Sequence, residues 1–316
     1  MPPPLNQLPP STKKRKDWPW IGQALEPPHS MPNGKPWPKI SIITPSLNQG
    51  HFIEETIRSV LLQNYPNLEY IIIDGGSSDN SVEIIKKYEP WLTYWVSEQD
   101  NGQSDAINKG LNICSGDIIA WLNSDDMYYK NTLMYAASKI HINKPCWLIG
   151  ACDFFNNKNN ATTIQNPPNE VNEDTFLYWS SHGFSQPSTF WNRKMLECSG
   201  TLDTSLHYVM DVDLWWRMLH YAKPITSTEV FSRYRIHDET KTLKNITKSN
   251  QELSRFIYYN LIENTNNPIS NFNKIFLRTI ELQTTIDRIK SHFIIGRIIR
   301  IWGTYLNIFF KNICRK

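Results

Sequence analysis

Residues 120–126 read AWLNSDD, an apolar run that ends on two adjacent acids, Asp125 and Asp126. Side-by-side carboxylates repel, and neither suits a core, so the pair calls either for a helix to cap or for a cation to hold. Other polar groups sit in the same kind of place. Ser46 and Asn48, Asp74, and Glu98 with Asp100 each follow an apolar, β-rich run. One acid at the end of a strand is an ordinary turn former. The same pattern at several strand ends points to a site.

The elements that must position these residues are legible from periodicity. KISIITPS (39–46), LEYIIIDGG (68–76), LTYWVSE (92–98) and DIIAWLN (117–123) read as strands. Between them, FIEETIRSVLLQ (52–63), SVEIIKKYE (81–89) and DAINKGLNI (105–113) read as helices, and another helical stretch comes after Asn131. Strand-helix alternation with near-continuous Ile/Val runs predicts an α/β fold: a Rossmann-like, mostly parallel sheet with helices on both faces. Right-handed crossovers bring the carboxyl ends of such strands to one edge, where ligands bind. The acids therefore converge on one crevice.

The turn after the first strand, TPSLNQG, has one glycine, so neither G-x-G-x-x-G nor a P-loop is present. Acids facing a phosphate repel it unless a divalent metal bridges them, which points to a metal and a nucleotide diphosphate. The stretches from KISIITPSLNQG through IIIDGGSSDNS, then SEQDNGQSDAINKG, then AWLNSDD closely resemble the family 2 glycosyltransferases of GT-A fold. The resemblance runs from about residue 37 to residue 240. It implies an inverting transfer of a hexosyl-type sugar from a nucleotide-diphospho-sugar donor, a UDP-sugar foremost, with Mg2+ or Mn2+ as cofactor. The implied acceptor is a glycan or a lipid-linked glycan.

By that resemblance Pro45, Ser46 and Asn48 line the nucleotide pocket, and Asp74 accepts a hydrogen bond from the base. Asp105, Asn108 and Lys109 match the segment near ribose and phosphates. NSDD matches the metal-binding acids, with Asn123 where many relatives carry Asp, so the metal falls to Asp125 and Asp126; Asp125 also faces the donor. Downstream, HGFSQPSTFWNRK (182–194) resembles the acceptor side, through His182, Gln186 and Ser188, and YRIHDE (234–239) places His237 near the metal or diphosphate.

The resemblance puts the general base at Asp211, in YVMDVDLWWRML (208–219). Helix geometry agrees: residues two apart do not share a face, so Asp211 and Asp213 cannot both enter the crevice, and Asp213 stands four before Arg217, a spacing for an ion pair. The alternative role for Asp211 is a helix cap. The doublet Trp215-Trp216 reads as core. A non-catalytic sugar-nucleotide-binding or scaffold relative is the rival from another class. A nucleotidyltransferase would need a glycine- and lysine/arginine-rich loop after the first strand, and the chain has none there.

Three segments are expected: a proline-rich arm (1–38), the glycosyltransferase domain (39–245) and a helical C-terminal extension (246–316). The arm holds 11 of the 20 prolines, the basic run 13–16, and Trp18, Trp20 and Trp37, which suggest that part of it packs down. In the last 25 residues Arg297, Arg300 and Lys311 lie on a narrow polar arc of an otherwise apolar helix. Residues 290–316 are therefore expected to bury that face in a membrane surface, a partner or their own domain. A net charge of +3 gives no footing for nucleic acid, and five cysteines without a C-x-x-C pair fit reduced thiols. With no signal-like apolar core at the start and no apolar run long enough to span a bilayer, the expected location is cytoplasmic, peripheral on the membrane's cytoplasmic face if the C-terminal segment binds there.

Overall fold

The computed structural model describes residues 2–10, 17–20, 28–156 and 159–262. Its first half alternates as the periodicity predicts: β1 (Ile40–Ser46), α1 (Ile53–Leu61), β2 (Leu68–Asp74), α2 (Ser81–Tyr88), β3 (Tyr94–Ser97), α3 (Gln103–Ile113) and β4 (Ile118–Trp121). β1 pairs in parallel with β2 and β4, and β2 with β3, so the carboxyl ends of all four strands share one edge. Every residue of β1 and β4 is buried, as a strand covered on both faces requires. Helix α3 lies directly on β1. A Cβ built on Gly110 would stand 2.5 Å from Ile43 Cγ2, so no side chain fits there.

The second half holds β5 (Met127–Tyr128), α4 (Thr132–Lys139), β6 (Trp147–Asn156), β7 (Thr162–Gln165), α5 (Glu173–Leu177), α6 (Trp179–His182) and β8 (Thr189–Asn192). It continues through α7 (Arg193–Ser199), α8 (Met210–Leu219), β9 (Ile225–Ile236), α9 (Lys241–Lys244) and α10 (Ile246–Ile257). Among the described residues the sheet has nine strands in the order β3-β2-β1-β4-β8-β6-β9-β5, with β7 on β6. The parallel expectation holds over the first four and changes at β8, which is antiparallel to both β4 and β6. Antiparallel neighbours need no helical crossover, so the second half could be built from hairpin-like and looped connections instead. β9 returns parallel to β6 and brings its end beside the β4–β5 turn.

Helix α8 is pinned by indoles. Trp215 stacks on Trp121 of β4 at 5.4 Å and on Trp147 of β6 at 6.0 Å, with Trp191 edge-on. Trp215 and Trp216 are both buried, so the doublet is core.

The described parts of the arm lie against the domain. Trp91 donates its indole N–H to Pro3 O and Trp18 donates to Tyr128 O, while Leu5 and Leu8 pack on the core. The centre of this contact is Arg58 of α1. Its guanidinium donates to Pro9 O (2.9 Å), Pro19 O (3.3 Å) and the Tyr88 hydroxyl (3.2 Å), and it lies over the Trp20 ring. All nine residues of α1 are buried, charged ones included.

The chain divides into two compact units, Met1–Ser249 and Asn250–Lys316. In the second, the described residues carry α10 on into a π-helical turn, Tyr258–Ile262. The basic run 13–16 and the amphipathic segment 290–316 lie outside the described residues. No helix among the described residues is long and apolar enough to cross a membrane. Cys114, Cys146, Cys152 and Cys198 are free thiols, and the first three are buried.

Arg58→Met should release the arm. Loss of charge-assisted hydrogen bonds predicts a fall in unfolding free energy of about 1.5–3 kcal/mol. Urea denaturation would measure it, and limited proteolysis should cut the arm faster in the variant than in the parent.

Candidate active site

A cleft of about 550 Å³ opens at the shared carboxyl edge, lined by Pro45 and Ser46 from β1, Asn123 to Asp125 beyond β4, Gln186, and Met210 and Asp211 of α8. Its far wall is formed by Tyr234 of β9 and by residues 239–242 after that strand.

The two adjacent acids part company here. Asp125 faces the cleft, and its Oδ2 lies 3.0 Å from His237 Nε2. Asp126 turns inward and is 2% exposed. Its Oδ1 accepts the backbone N–H of Arg235 at 3.0 Å, and its Oδ2 accepts from Asn123 Nδ2 at 3.4 Å. Burial, and then the neighbouring Asp125 carboxylate, pushes the Asp126 carboxyl well above the usual carboxylate range. A cation on the cleft side therefore meets Asp125 before Asp126.

Arg235 ties this turn to α1. Its Nε donates to Asp125 O (3.0 Å) and its Nη2 to Glu55 Oε2 (2.5 Å), with the guanidinium over the Phe52 ring. Thr56 adds hydrogen bonds to the carbonyls of Ser124 and Asp126. The backbone that presents Asp125 is thus held from behind by two residues of α1 and one of β9.

Asn123, where an acid was the family expectation, belongs to a chain of amides along the cleft floor. Gln103 Nε2 donates to Asn123 Oδ1 (2.8 Å), Asn123 Nδ2 donates to Gln186 Oε1 (3.2 Å), and Gln186 Nε2 donates to Trp121 O (2.9 Å). At its other end Gln103 Oε1 accepts from Lys241 Nζ at 3.0 Å, so a cation reaches across the mouth of the cleft.

Asp211 stands four residues before Trp215, so both lie on the helix face turned toward Trp121. Asp213 points elsewhere and forms the expected ion pair with Arg217 at 2.9 Å. The loop ahead of α8 is fastened to α3. Asn108 exchanges two hydrogen bonds with the backbone of Leu202, and Ser104 Oγ donates to Leu206 O.

The remaining sequence-derived residues fall into two groups. Ser46 lines the cleft with its buried hydroxyl unpartnered among the described residues. Asp74, fully buried, accepts from Gly76 N, Ser77 N, Ser77 Oγ and Ser97 Oγ, ordering the DGG turn in which Gly76 takes φ +83°. Asn48, at φ 54°, accepts from Ser78 N. Asp105 accepts from Asn101 N, and Lys109 pairs with Glu98 at 2.8 Å. Ser188 is buried against Ala151 O and Ser232 Oγ. His182 is exposed beside Ser181. None of these six, nor Asn108, lines the cleft; Asp74, Asn48, Asp105 and Asn108 brace loops around it. Gln103, Arg235, Glu55, Tyr234 and Lys241 were not singled out from sequence. Gln103 lies within SEQDNGQSDAINKG, and Tyr234 and Arg235 open YRIHDE, but no local pattern separates a buried strand arginine from an exposed one.

Among the described residues no cluster of three or more His, Cys, Asp or Glu side chains is arranged around a metal site. Asp125 and His237 nonetheless suit a hard or borderline cation that takes its other ligands from phosphate and water.

The model of "Glycosyl transferase family 2" matches residues 41–200, just over half of the chain. The chain belongs to that family. An uncharacterized glycosyltransferase of Rickettsia typhi is 28% identical to this family member over 211 residues, 65% of this chain and 66% of that protein. The chain thus spans just under two thirds of that relative. Another relative, described as the putative teichuronic acid biosynthesis glycosyltransferase TuaG of Bacillus subtilis, is 39% identical over 99 residues, 30% of this chain and 39% of its own. Two solved structures share the fold. S. aureus TarS 1–349 in complex with UDP-GlcNAc has a TM-score of 0.53 at 17% identity, covering 77% of this chain and 71% of that one. The mannosyltransferase PcManGT from Pyrobaculum calidifontis, in complex with GDP-Man and Mn2+, has a TM-score of 0.55 at 16% identity, covering 86% and 81%. The glycosyltransferase fold is GT-A, as the sequence resemblance implied.

Arg235→Met should strand the buried Glu55 carboxylate. Removing one partner of a buried ion pair costs about 3–5 kcal/mol. Chemical denaturation of the parent and the variant would measure the loss, and Arg235→Met combined with Glu55→Met should recover part of it.

Proposed function

We propose that this chain transfers a sugar, with inversion, from a nucleotide-diphospho-sugar to a hydroxyl of a glycan or lipid-linked acceptor. The supporting observation is that one cleft is lined by both Asp125, whose carboxylate is met by His237 at 3.0 Å, and Asp211. The ligands of the two structural neighbours, a UDP-sugar and a GDP-sugar, favour a donor of this class. A UDP-sugar is the first choice.

In this reading the diphosphate lies beside Asp125 and His237. The metal, Mg2+ or Mn2+, supplies positive charge that offsets the charge developing on the leaving diphosphate. Asp125 and His237 would hold it, and Asp126 would support the turn from inside. Lys241 adds positive charge at the mouth. Ser46 offers its unpartnered hydroxyl to the nucleotide, and Asp74 keeps the turn that receives the base in shape. Gln186 and the amide chain to Trp121 form the floor under the reacting groups.

Asp211 takes the proton of the acceptor hydroxyl as that oxygen bonds to the anomeric carbon. The bond from that carbon to the diphosphate oxygen breaks in the same step, and its electron pair leaves with the diphosphate. Attack from the face opposite the leaving group inverts the centre. Donor turnover by the purified chain separates this reading from a non-catalytic sugar-nucleotide-binding relative.

Two outcomes test the assignments. Calorimetry should show UDP binding in Mn2+ that weakens at least about tenfold in EDTA, because uncompensated carboxylates repel the diphosphate, and in Asp125→Ala, because the metal loses a ligand. Undiminished binding in EDTA would sink the metal. Asp211→Asn should keep donor affinity and lose about 10²–10⁴ in turnover, the usual contribution of a general base. Asp213→Asn should act only through helix stability, by roughly a few tenths of a kcal/mol; exchanged phenotypes would move the base.

A further inference from the structure

Tyr234 is the one cleft residue of β9, and its orientation is set by its neighbours. Arg233 reaches Asp153 and Arg235 reaches Glu55, so the flanking side chains leave from the opposite face of the strand. The tyrosine between them faces the cleft. Its ring packs on Phe154, its cross-strand partner, with centroids 5.1 Å apart, which fixes where the phenol points.

Asp125 and Asp211 line the same cleft as this phenol, and with Asp126 they act on its charge. Its hydroxyl forms no hydrogen bond with any described residue. A hydroxyl in the cleft wall that no described residue engages is an open donor available to a ligand. Burial first, and then these acids, pushes the phenol above its ordinary range, so it stays an O–H donor.

An in-line displacement sets what lies there. The anomeric carbon must sit between the leaving phosphate oxygen, beside Asp125, and the acceptor oxygen, beside Asp211. A side chain that neighbours both acids faces the ring of the transferred sugar rather than the nucleotide. We propose that the Tyr234 hydroxyl donates a hydrogen bond to a hydroxyl or ring substituent of the transferred sugar and so positions its anomeric carbon. This rests on the donor-site reading of the same cleft. It makes Tyr234 a residue that distinguishes a sugar nucleotide from its parent nucleoside diphosphate.

The test compares those two ligands. A thermal-shift panel of sugar nucleotides with Mn2+ first selects the donor; calorimetry then measures that donor and its parent diphosphate on the full chain and on Tyr234→Phe. Phenylalanine keeps the ring contact with Phe154, so the fold is retained. The expected result is an unchanged Kd for the diphosphate and about tenfold weaker donor binding, the scale of one lost hydrogen bond, with a matching fall in kcat/KM. Equal donor affinity and turnover in the two proteins would overturn the proposal. So would a parallel loss of diphosphate affinity, because Tyr234 would then act on the nucleotide or on the scaffold. Failure of the parent chain to bind any nucleoside diphosphate would instead strike the donor-site reading, and it shows before the variant is made.

Discussion

The buried guanidinium of Arg235 is the interaction on which the cleft depends. Two carboxylates in sequence would normally splay toward water, yet this chain draws one of them inside. It does so because β9 presents a backbone N–H to Asp126 and a guanidinium to the carbonyl of Asp125 and the carboxylate of Glu55. A buried cation paired with a carboxylate and a carbonyl in this way meets the condition under which such a group is tolerated. The result is an acid pair with divided labour. Asp126 belongs to the scaffold, and Asp125 is delivered to the cleft on a backbone that cannot relax away from it.

That division also explains how much could be read from sequence. The first four strands and their helices were legible because long Ile runs and amphipathic helices each impose a period, and the carboxyl edge is a consequence of parallel pairing. The antiparallel insertion of β8 was not, since strand direction in the second half depends on partners distant in the chain. Asp125 and Asp126 sit in the turn between β4 and β5, and nothing in the local sequence says which of the two goes inward. Which one depended on Arg235, 109 residues away from Asp126. A local motif carries no trace of that choice.

The same limit applied to residues placed by family resemblance. Asp105, Asn108, Lys109 and Ser188 stand near the right edge of the sheet, but their side chains bind other parts of the chain. Asn108 and Ser104 hold the loop ahead of α8, and the stack of Trp121, Trp215 and Trp147 fixes the rotation of that helix. Asp211 shares the face of Trp215, so its direction is decided by core packing one turn later. A motif locates such a residue along the chain; the indoles decide where it points.

Asn123 shows what a neutral residue does in a place where an acid was expected. An Asp would bring a third carboxylate within reach of Asp125 and Asp126 and would lack the N–H that Gln186 accepts. With the amide, the floor closes as a run of donors and acceptors from Lys241 to Trp121 O, and its single formal charge is a cation at the rim. The cleft is thereby acidic beside Asp125 and Asp211, with Lys241 placing a cation at the rim near Asp100 and Glu239. Under the proposed function, an anionic diphosphate entering it would meet Lys241, and a neutral sugar would take the space between the acids. Alternation along β9 completes this arrangement. The turn-locking Arg235 and the cleft-facing Tyr234 are adjacent residues on one strand, so the contact that buries the guanidinium also aims the phenol at that space.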